Sequence, residues 1–136
     1  MTPLRPLTRS ECLDLMKTAP VGRLVFSEGA LPAIRPVNFV LHQGDVVLRA
    51  ARSGAIGKLS DEVVAFEVDE IDPDTRTGWS VVAVGKIEPV TDVGEIVAMA
   101  GPAHRPWAPG ERDRFLRIRV EIVNGRRLSL GGPDGG

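Results

Sequence analysis

The sequence has 136 residues, of which 43% are hydrophobic and 26% are charged, a composition typical of one globular domain with a single core. We treat residues 1–136 as a single domain and expect residues 131–136 to form a disordered tail. The formal net charge of -1 at pH 7 gives no basic footprint of the kind that nucleic-acid-binding domains show. Nucleic acid is therefore not expected as the main partner.

The sequence also carries information on location. No apolar run approaches the roughly 20 residues needed to cross a bilayer, so no membrane partner is expected. The first residues lack the apolar core of a signal peptide, and the single cysteine, Cys12, cannot form an intramolecular disulfide. Together these features predict a cytoplasmic protein.

The first predicted element is a helix that begins after Thr8. Thr8 and Glu11 have the spacing of a capping box, in which each side chain accepts a hydrogen bond from the other residue's backbone amide. Cys12 and Met16 lie on one apolar face, and Pro20 ends the helix after about three turns. No histidine lies near Cys12 in the sequence, so burial in the core is predicted for this thiol rather than catalysis.

From Gly22 the sequence changes to short runs rich in β-branched residues, which are typical of strands. These runs are GRLVF, AIRPVNFVL, DVVLRAA, VVAFEV, WSVVAVGKIEPV and FLRIRVEI. Gly29 and Gly44 lie in the short loops between the first three runs, where tight hairpins require a positive φ. The first three strands are therefore predicted to form an antiparallel meander.

The C-terminal half combines a helix, a loop and a long strand. The segment TDVGEIVAMA predicts a second short helix capped by Thr91 or Asp92, and residues 101–113 predict a surface loop. In the last long run, apolar and charged residues alternate, which predicts one buried face. The apolar members of that run are Leu116, Ile118, Val120 and Ile122. Asn124 and Gly125 then predict a turn followed by a short final strand.

These elements define a mainly β fold class. Six or seven strands with two or three short helices predict a closed or nearly closed antiparallel β-barrel, because closure removes exposed strand edges. The helices are expected to cover the ends of the barrel.

The segment VVLRAARSGAIGKL combines three cations with two glycines and raises the question of an anion site. A P-loop is excluded because Gly54 and Gly57 are too close together and because Leu59 follows Lys58, where serine or threonine is required. A Rossmann dinucleotide site is excluded because the required glycine spacing and the βαβ alternation are missing.

The same residues are compatible with a simpler phosphate site. The third strand ends near Arg49, a turn follows at Ser53 and Gly54, and one turn of helix is predicted through Lys58. Amides at the start of a short helix, together with cationic side chains, hold a phosphate through charge-assisted hydrogen bonds. The alternative is that Arg52 and Lys58 are solvated cations of a surface loop, and spacing alone leaves both open.

Over nearly the whole chain, from Leu7 to about Leu130, the sequence resembles the pyridoxamine phosphate oxidase-like, FMN-binding split-barrel superfamily. The resemblance rests on GRLVF followed by LPAIRPVNFV, on VVLRAARSG and VAFEVDEID, and on RTGWSVVAVGKIEPV with the later PWAPGERDRFLRIRV. It implies a six- to seven-stranded antiparallel split barrel, a homodimer, and FMN held at the dimer interface.

The resemblance also assigns residues to the cofactor. The FMN phosphate would be held by basic and hydroxyl side chains after the third strand, namely Arg49, Arg52, Ser53 and Lys58. The isoalloxazine ring would lie along the second strand, with Arg35, Pro36, Val37 and Asn38 as the cofactor-binding residues there. An asparagine carries both donors and acceptors suited to a flavin edge. For Asn38 the alternative is a position on the solvated face of the strand.

The resemblance places Trp79 and Ser80 close to the flavin pocket, reaching it from the partner subunit. A tryptophan stacks on ring systems or seals an interface, and the alternative for Trp79 is a barrel-core aromatic. For Trp107 the two expectations are a cover over the pocket and an anchor for its loop. His42 and His104 show no ligand spacing, so no metal site is predicted.

At one point the sequence departs from the family pattern. Relatives commonly have an Arg-Thr pair at the end of the third strand and a lysine soon after the glycine. Here Ala50 follows Arg49, and Ile56 stands about where that lysine would fall. A lost hydroxyl or a displaced charged contact removes roughly 1–3 kcal/mol of binding free energy. Either Lys58 substitutes for that lysine, or flavin binding is weak or absent.

The leading functional hypothesis is a flavin-binding oxidoreductase with a small-molecule substrate that the sequence does not identify. The cofactor would carry the redox chemistry, so no catalytic residue is assigned. One alternative is a non-catalytic flavin carrier or sensor, or an apo protein whose dimer surface binds a partner. A second alternative is a deazaflavin-dependent reductase, in which Arg23, Arg35 and Arg105 would supply cations for a longer acidic tail.

Overall fold

The structure is a computed structural model in which residues 5–100 and 113–130 are described. The elements in chain order are α1 (Arg9–Met16), β1 (Val21–Glu28), β2 (Leu31–His42), β3 (Asp45–Ala51), β4 (Glu62–Asp72), β5 (Thr77–Val90), α2 (Val93–Ala100) and β6 (Asp113–Ser129). The strands form a closed antiparallel barrel in the order β1-β2-β3-β6-β5-β4. This confirms the predicted fold class. The predicted tail, and all of the predicted loop except Asp113, lie outside the described residues.

Helix α1 begins as predicted and ends earlier than predicted. The Thr8 side chain accepts a hydrogen bond from the Glu11 backbone amide at 3.2 Å, and the Glu11 carboxylate accepts one from the Thr8 amide at 2.9 Å. After Met16 the backbone tightens into turns, so the helix ends before Pro20 and is shorter than three turns. Cys12 is fully buried in the barrel core, which confirms the predicted burial.

The predicted meander of β1, β2 and β3 is confirmed. Strand β1 pairs with β2, and β2 pairs with β3, both antiparallel. Gly29 and Gly44 have φ values of 58° and 82°, in the left-handed region that these hairpins require.

Strand β6 continues through the residues that predicted a turn. Asn124 and Gly125 both pair with β5, so the predicted turn and the separate final strand are wrong. The glycine at this position permits close packing, because a Cβ atom on Gly125 would lie 2.5 Å from the Cys12 Sγ atom. The absent side chain therefore lets α1 approach the barrel.

A register shift in the β5–β6 ladder changes which residues of β6 are buried. Val84 pairs with Ile122, whereas the next residue, Gly85, pairs with a residue two positions earlier in β6. Leu116 and Ile118 are fully buried as predicted, but Ile122 lies beyond the shift and is 55% exposed. The predicted burial of Ile122 is wrong because a β-bulge moves the following side chains to the other face.

Two groups of buried side chains stabilise these elements. All six strands, together with Cys12 and Met16 of α1, contribute to the barrel interior. On the outer face of the barrel, a smaller cluster is formed by Val47, Val90, Met99 and Phe115.

Helix α2 begins at the predicted cap, since the Asp92 carboxylate accepts a hydrogen bond from the Glu95 amide at 2.8 Å. Neither α1 nor α2, as far as these residues are described, is long and apolar enough to span a bilayer.

Candidate functional site

Although the barrel is closed, strands β2 and β3 share only a short ladder and leave an opening between them beyond it. These strands pair only where Phe39–His42 lies against Asp45–Leu48. Residues 31–38 pair with β1, and residues 49–51 pair with β6. Because no pairing joins residues 31–38 to residues 49–51 in the described part of the chain, backbone donors and acceptors of both strands face this opening.

Residues Arg52–Lys58, named the basic segment, lead from the end of β3 toward β4. The Gly54 amide donates to the Ala51 carbonyl at 3.0 Å, and the Leu59 amide donates to the Ile56 carbonyl at 3.0 Å. Both bonds close turns, so the predicted turn of helix through Lys58 is not formed. Two glycines among these residues disfavour helix, because glycine has a high conformational entropy cost. Turn amides, rather than a helix N-terminus, are therefore available here.

The basic segment is anchored to the barrel by apolar packing and by a hydrogen bond from β6. Ala55 and Ile56 pack against the core, and Leu59, which directly follows the segment, is buried in it. Gly57 is buried, and a Cβ atom at this position would overlap with the Ala51 carbonyl oxygen. An Arg114 Nη1 atom donates to the Gly57 carbonyl at 3.1 Å, and the Arg114 Nε atom is buried without a hydrogen-bond partner among the described residues. The backbone of the segment is therefore held in place, and the Arg114 guanidinium next to it keeps one N–H donor without a partner in the described structure.

The two cations of the basic segment are at the surface. Arg52 and Lys58 are exposed, and neither forms an ion pair within the described ranges. Lys58 lines a cleft of about 330 Å³ together with Glu28 and Glu62. An Arg35 Nη2 atom lies 3.7 Å from the Glu28 Oε1 atom. The structure thus places Lys58 in a cleft with two carboxylates, one of which is paired with Arg35.

Arg49 lies on a different face from the cleft. Alternation along β3 places Leu48 in the barrel interior and Arg49 on the outer face, beside Phe115 of β6. The Arg49 Nη2 atom forms an ion pair with the Asp113 Oδ2 atom at 2.7 Å. The structure therefore does not place the Arg49 guanidinium among the residues that line the cleft.

The predicted ring-binding residues of β2 remain accessible. Pro36 and Asn38 are exposed on the outer face of β2, whereas Val37 is half-buried and packs against the barrel core. Ser53, in the basic segment, is also exposed. The structure therefore leaves this stretch of strand open along its length, as a planar ligand would require.

Trp79 and Ser80 point to opposite faces of β5. Trp79 is 7% exposed and belongs to the barrel core, which is the second of its two predicted roles. Ser80 lines an outer groove between the N-terminal segment and β6, together with Leu7, Asn124 and Arg126. On this chain alone, neither residue lies near the cleft lined by Lys58.

Several residues of the site were not identified from the sequence. Glu28 and Glu62 contribute negative charge to the cleft, and Arg114 supports the basic segment. The position of Glu28 could have been predicted from the hairpin. A turn at residues 29–30 pairs Glu28 with Leu31, and Arg35 lies on the same face of β2 as Leu31. No local signal identifies Arg114, because its contact with the segment is long-range.

Trp107, His104 and Arg105 fall outside the described residues. Within residues 5–100 and 113–130, no group of three or more histidine, cysteine, aspartate or glutamate side chains is placed to hold a metal ion.

Comparison with known proteins gives a consistent picture. Residues 8–127 match the family described as pyridoxamine 5'-phosphate oxidase. Protein Rv0080 of Mycobacterium tuberculosis, which is uncharacterized, is 40% identical over 128 residues, covering 90% of this chain and 84% of that protein.

Two solved structures show the same fold at moderate sequence identity. An FAD-binding protein from Mycobacterium smegmatis is 28% identical, with a TM-score of 0.83, and the match covers 93% of this chain and all of that chain. A conserved protein of unknown function from Corynebacterium diphtheriae is 35% identical, with a TM-score of 0.75, and the match covers 92% and 98% of the two chains.

Proposed function

The chain belongs to the pyridoxamine 5'-phosphate oxidase family, and from this premise we propose that it is a flavin-dependent oxidoreductase that binds FMN in the opening between β2 and β3. The observation that carries the proposal is the basic segment, which directly follows the end of β3 and presents Arg52 and Lys58 without ion pairs in the described structure. The edge of β3 that it adjoins has backbone groups that do not pair with β2. The FAD-binding neighbour from M. smegmatis supports a flavin ligand.

Each part of the opening suits one part of the cofactor. Arg52, Ser53 and Lys58 would hold the phosphate through charge-assisted hydrogen bonds. The backbone along Pro36–Asn38 would hydrogen-bond the polar edge of the ring system. A bound flavin supplies hydride or electron transfer, and the protein residues bind it, orient it and exclude water from one of its faces. No side chain of the described site is required as an acid or a base.

At two positions the proposed phosphate site departs from the family pattern, and both residues are apolar. Ala50 and Ile56 both pack against the barrel core, so neither position offers a polar group to a phosphate. Lys58 supplies a cation at the neighbouring cleft, but Glu28 and Glu62 reduce the positive potential there. We therefore expect FMN to bind more weakly than in relatives that keep the hydroxyl and the lysine.

The deazaflavin alternative is less well supported by the described charges. Two of the cations that it would use are already paired with carboxylates: Arg23 with Glu67 at 2.9 Å, and Arg35 with Glu28 at 3.7 Å. A longer acidic tail would have to compete with these interactions. FMN requires only the cations of the basic segment.

The proposed functional unit is a homodimer. Five apolar residues lie in register across β2, β1, β4, β5 and β6 on the outer face of the barrel. This apolar row consists of Ile34, Val25, Ala65, Val84 and Ile122. Its two ends, Ile34 and Ile122, are 56% and 55% exposed. The three residues between them, Val25, Ala65 and Val84, are partly exposed. Strands spaced by about 4.8 Å make the row roughly 20 Å long, and an apolar band of this extent at the surface is typical of a protein interface.

The absorbance spectrum of the purified full-length protein tests the proposal. We expect the two visible and near-ultraviolet bands of an oxidised flavin, either as purified or after FMN is added and the excess removed. Bleaching of the visible band by a reductant and its recovery with a quinone acceptor would support the oxidoreductase over a carrier. A protein that retains neither FMN nor FAD would contradict the proposal and favour the apo dimeric binding protein.

A further inference from the structure

Beside the apolar row, two carboxylates share one cation. The Arg23 Nη1 atom of β1 lies 2.9 Å from the Glu67 Oε1 atom and 3.2 Å from the Asp69 Oδ2 atom, both in β4. We name Glu67 and Asp69 the acidic pair. With one cation for two carboxylates, the fully ionised group has a net charge of −1.

The acidic pair has few other charged neighbours. On β2 the residue opposite Arg23 is Pro36, and on β5 the residues opposite Glu67 and Asp69 are Val82 and Ser80. One strand further, the corresponding residues of β6 are Asn124 and Arg126. Within the described part of the chain, Arg23 is thus the one cation that contacts the pair. The next cation is Arg126, which is separated from Asp69 by Ser80 in the intervening strand.

This arrangement makes one carboxylate easy to protonate near neutral pH. Burial, followed by the neighbouring Asp69, raises the pKa of Glu67 to about 7, against the opposing effect of Arg23. The Glu67 and Asp69 side chains are only 23% and 26% exposed. Further burial would disfavour the doubly ionised form more strongly, because desolvation penalises a net charge.

The acidic pair adjoins the proposed dimer surface directly. Val25 follows Arg23 by two residues on the same face of β1, and Ala65 precedes Glu67 by two residues on the same face of β4. A second copy seated on the apolar row would therefore also cover the acidic pair. In a two-fold symmetric dimer the same group of each copy enters the interface, so two uncompensated negative charges would be buried.

We propose that a second copy of the chain docks on the apolar row and that each copy takes up a proton at the acidic pair when it does so. This inference rests on the homodimer of the proposed function and adds its regulation. Protonation brings the group of Arg23, Glu67 and Asp69 to zero net charge. Because association takes up protons, the dimer is favoured at low pH and weakens as the pH rises through about 7.

Sedimentation over a dilution series at constant ionic strength tests the inference. For the full-length protein we expect the dimer dissociation constant to rise at least tenfold between about pH 6 and about pH 8. In Glu67→Gln and in Asp69→Asn this pH dependence should be lost, and the dimer dissociation constant at about pH 8 should stay close to its value at about pH 6. Glu70→Gln, which changes an exposed carboxylate at the end of the same strand, should keep the dependence of the unchanged protein.

The outcomes separate this inference from the proposed function. A dimer whose dissociation constant is independent of pH, or one whose pH dependence survives in Glu67→Gln and Asp69→Asn, would overturn proton uptake and leave the homodimer intact. A monomer at every pH and concentration would overturn the homodimer and the inference with it. In that case the flavin spectrum would still decide whether the site binds its cofactor.

Discussion

Replacing Arg52 and Lys58 together with alanine is expected to lower the affinity for FMN at least tenfold while the barrel stays folded. Both side chains are exposed and form no ion pair in the described structure, so their removal leaves no buried charge behind. Each charged hydrogen bond to the phosphate contributes roughly 1–3 kcal/mol, and solvent exposure reduces that figure. A loss of one to two orders of magnitude in affinity follows for the pair.

The comparison that isolates the phosphate uses riboflavin, which lacks it. Quenching of flavin fluorescence gives both dissociation constants, and only the one for FMN should change in Arg52→Ala/Lys58→Ala. The control variant, Lys86→Ala/Arg127→Ala, removes the same charge from exposed positions on β5 and β6. Equal loss of FMN affinity in both double variants would point to a general charge effect and remove the phosphate role of the basic segment.

The second large effect is expected from Gly57→Ala. The added methyl group would overlap with the Ala51 carbonyl oxygen, so the basic segment must move by about 1 Å or more to relieve the contact. The hydrogen bond from Arg114 to the Gly57 carbonyl would be disturbed at the same time. A displacement of this size at a binding site is costly, and we expect FMN affinity to fall more than tenfold.

Gly54→Ala is the matched control for this substitution. A Cβ atom at Gly54 would lie 3.5 Å from the same Ala51 carbonyl oxygen, which is an ordinary contact distance. Its FMN dissociation constant should therefore stay close to that of the unchanged protein. Thermal unfolding by circular dichroism shows whether each variant keeps the barrel. If the folded Gly57→Ala variant binds FMN as tightly as Gly54→Ala does, FMN binding does not depend on the position of the basic segment, and the proposed phosphate site is wrong.

The fold was largely predictable because its signals are local. The capping box at Thr8 and Glu11 and the positive-φ glycines at positions 29 and 44 each depend on a few adjacent residues. The errors arise where long-range contacts decide the structure. Asn124 and Gly125 have the sequence of a turn, yet Gly125 is required by the approach of Cys12 from a distant helix.

The chemical character of the site was predictable, whereas the arrangement of its charges was not. The basic segment is recognisable from its cations and glycines alone. Much of the pairing is not local: Arg49 is paired with Asp113, and of the two acidic side chains beside Lys58, Glu62 is four residues away but Glu28 comes from β1. The bulge at Gly85, which exposes Ile122 at one end of the apolar row, likewise depends on pairing between distant strands.

A crystal structure of the protein grown with excess FMN tests the binding site most directly. We expect the phosphate within hydrogen-bonding distance of Arg52, Ser53 or Lys58, and the ring system along Pro36–Asn38. Density for FMN at another place, or a basic segment that contacts only solvent and protein at saturating ligand, would contradict it.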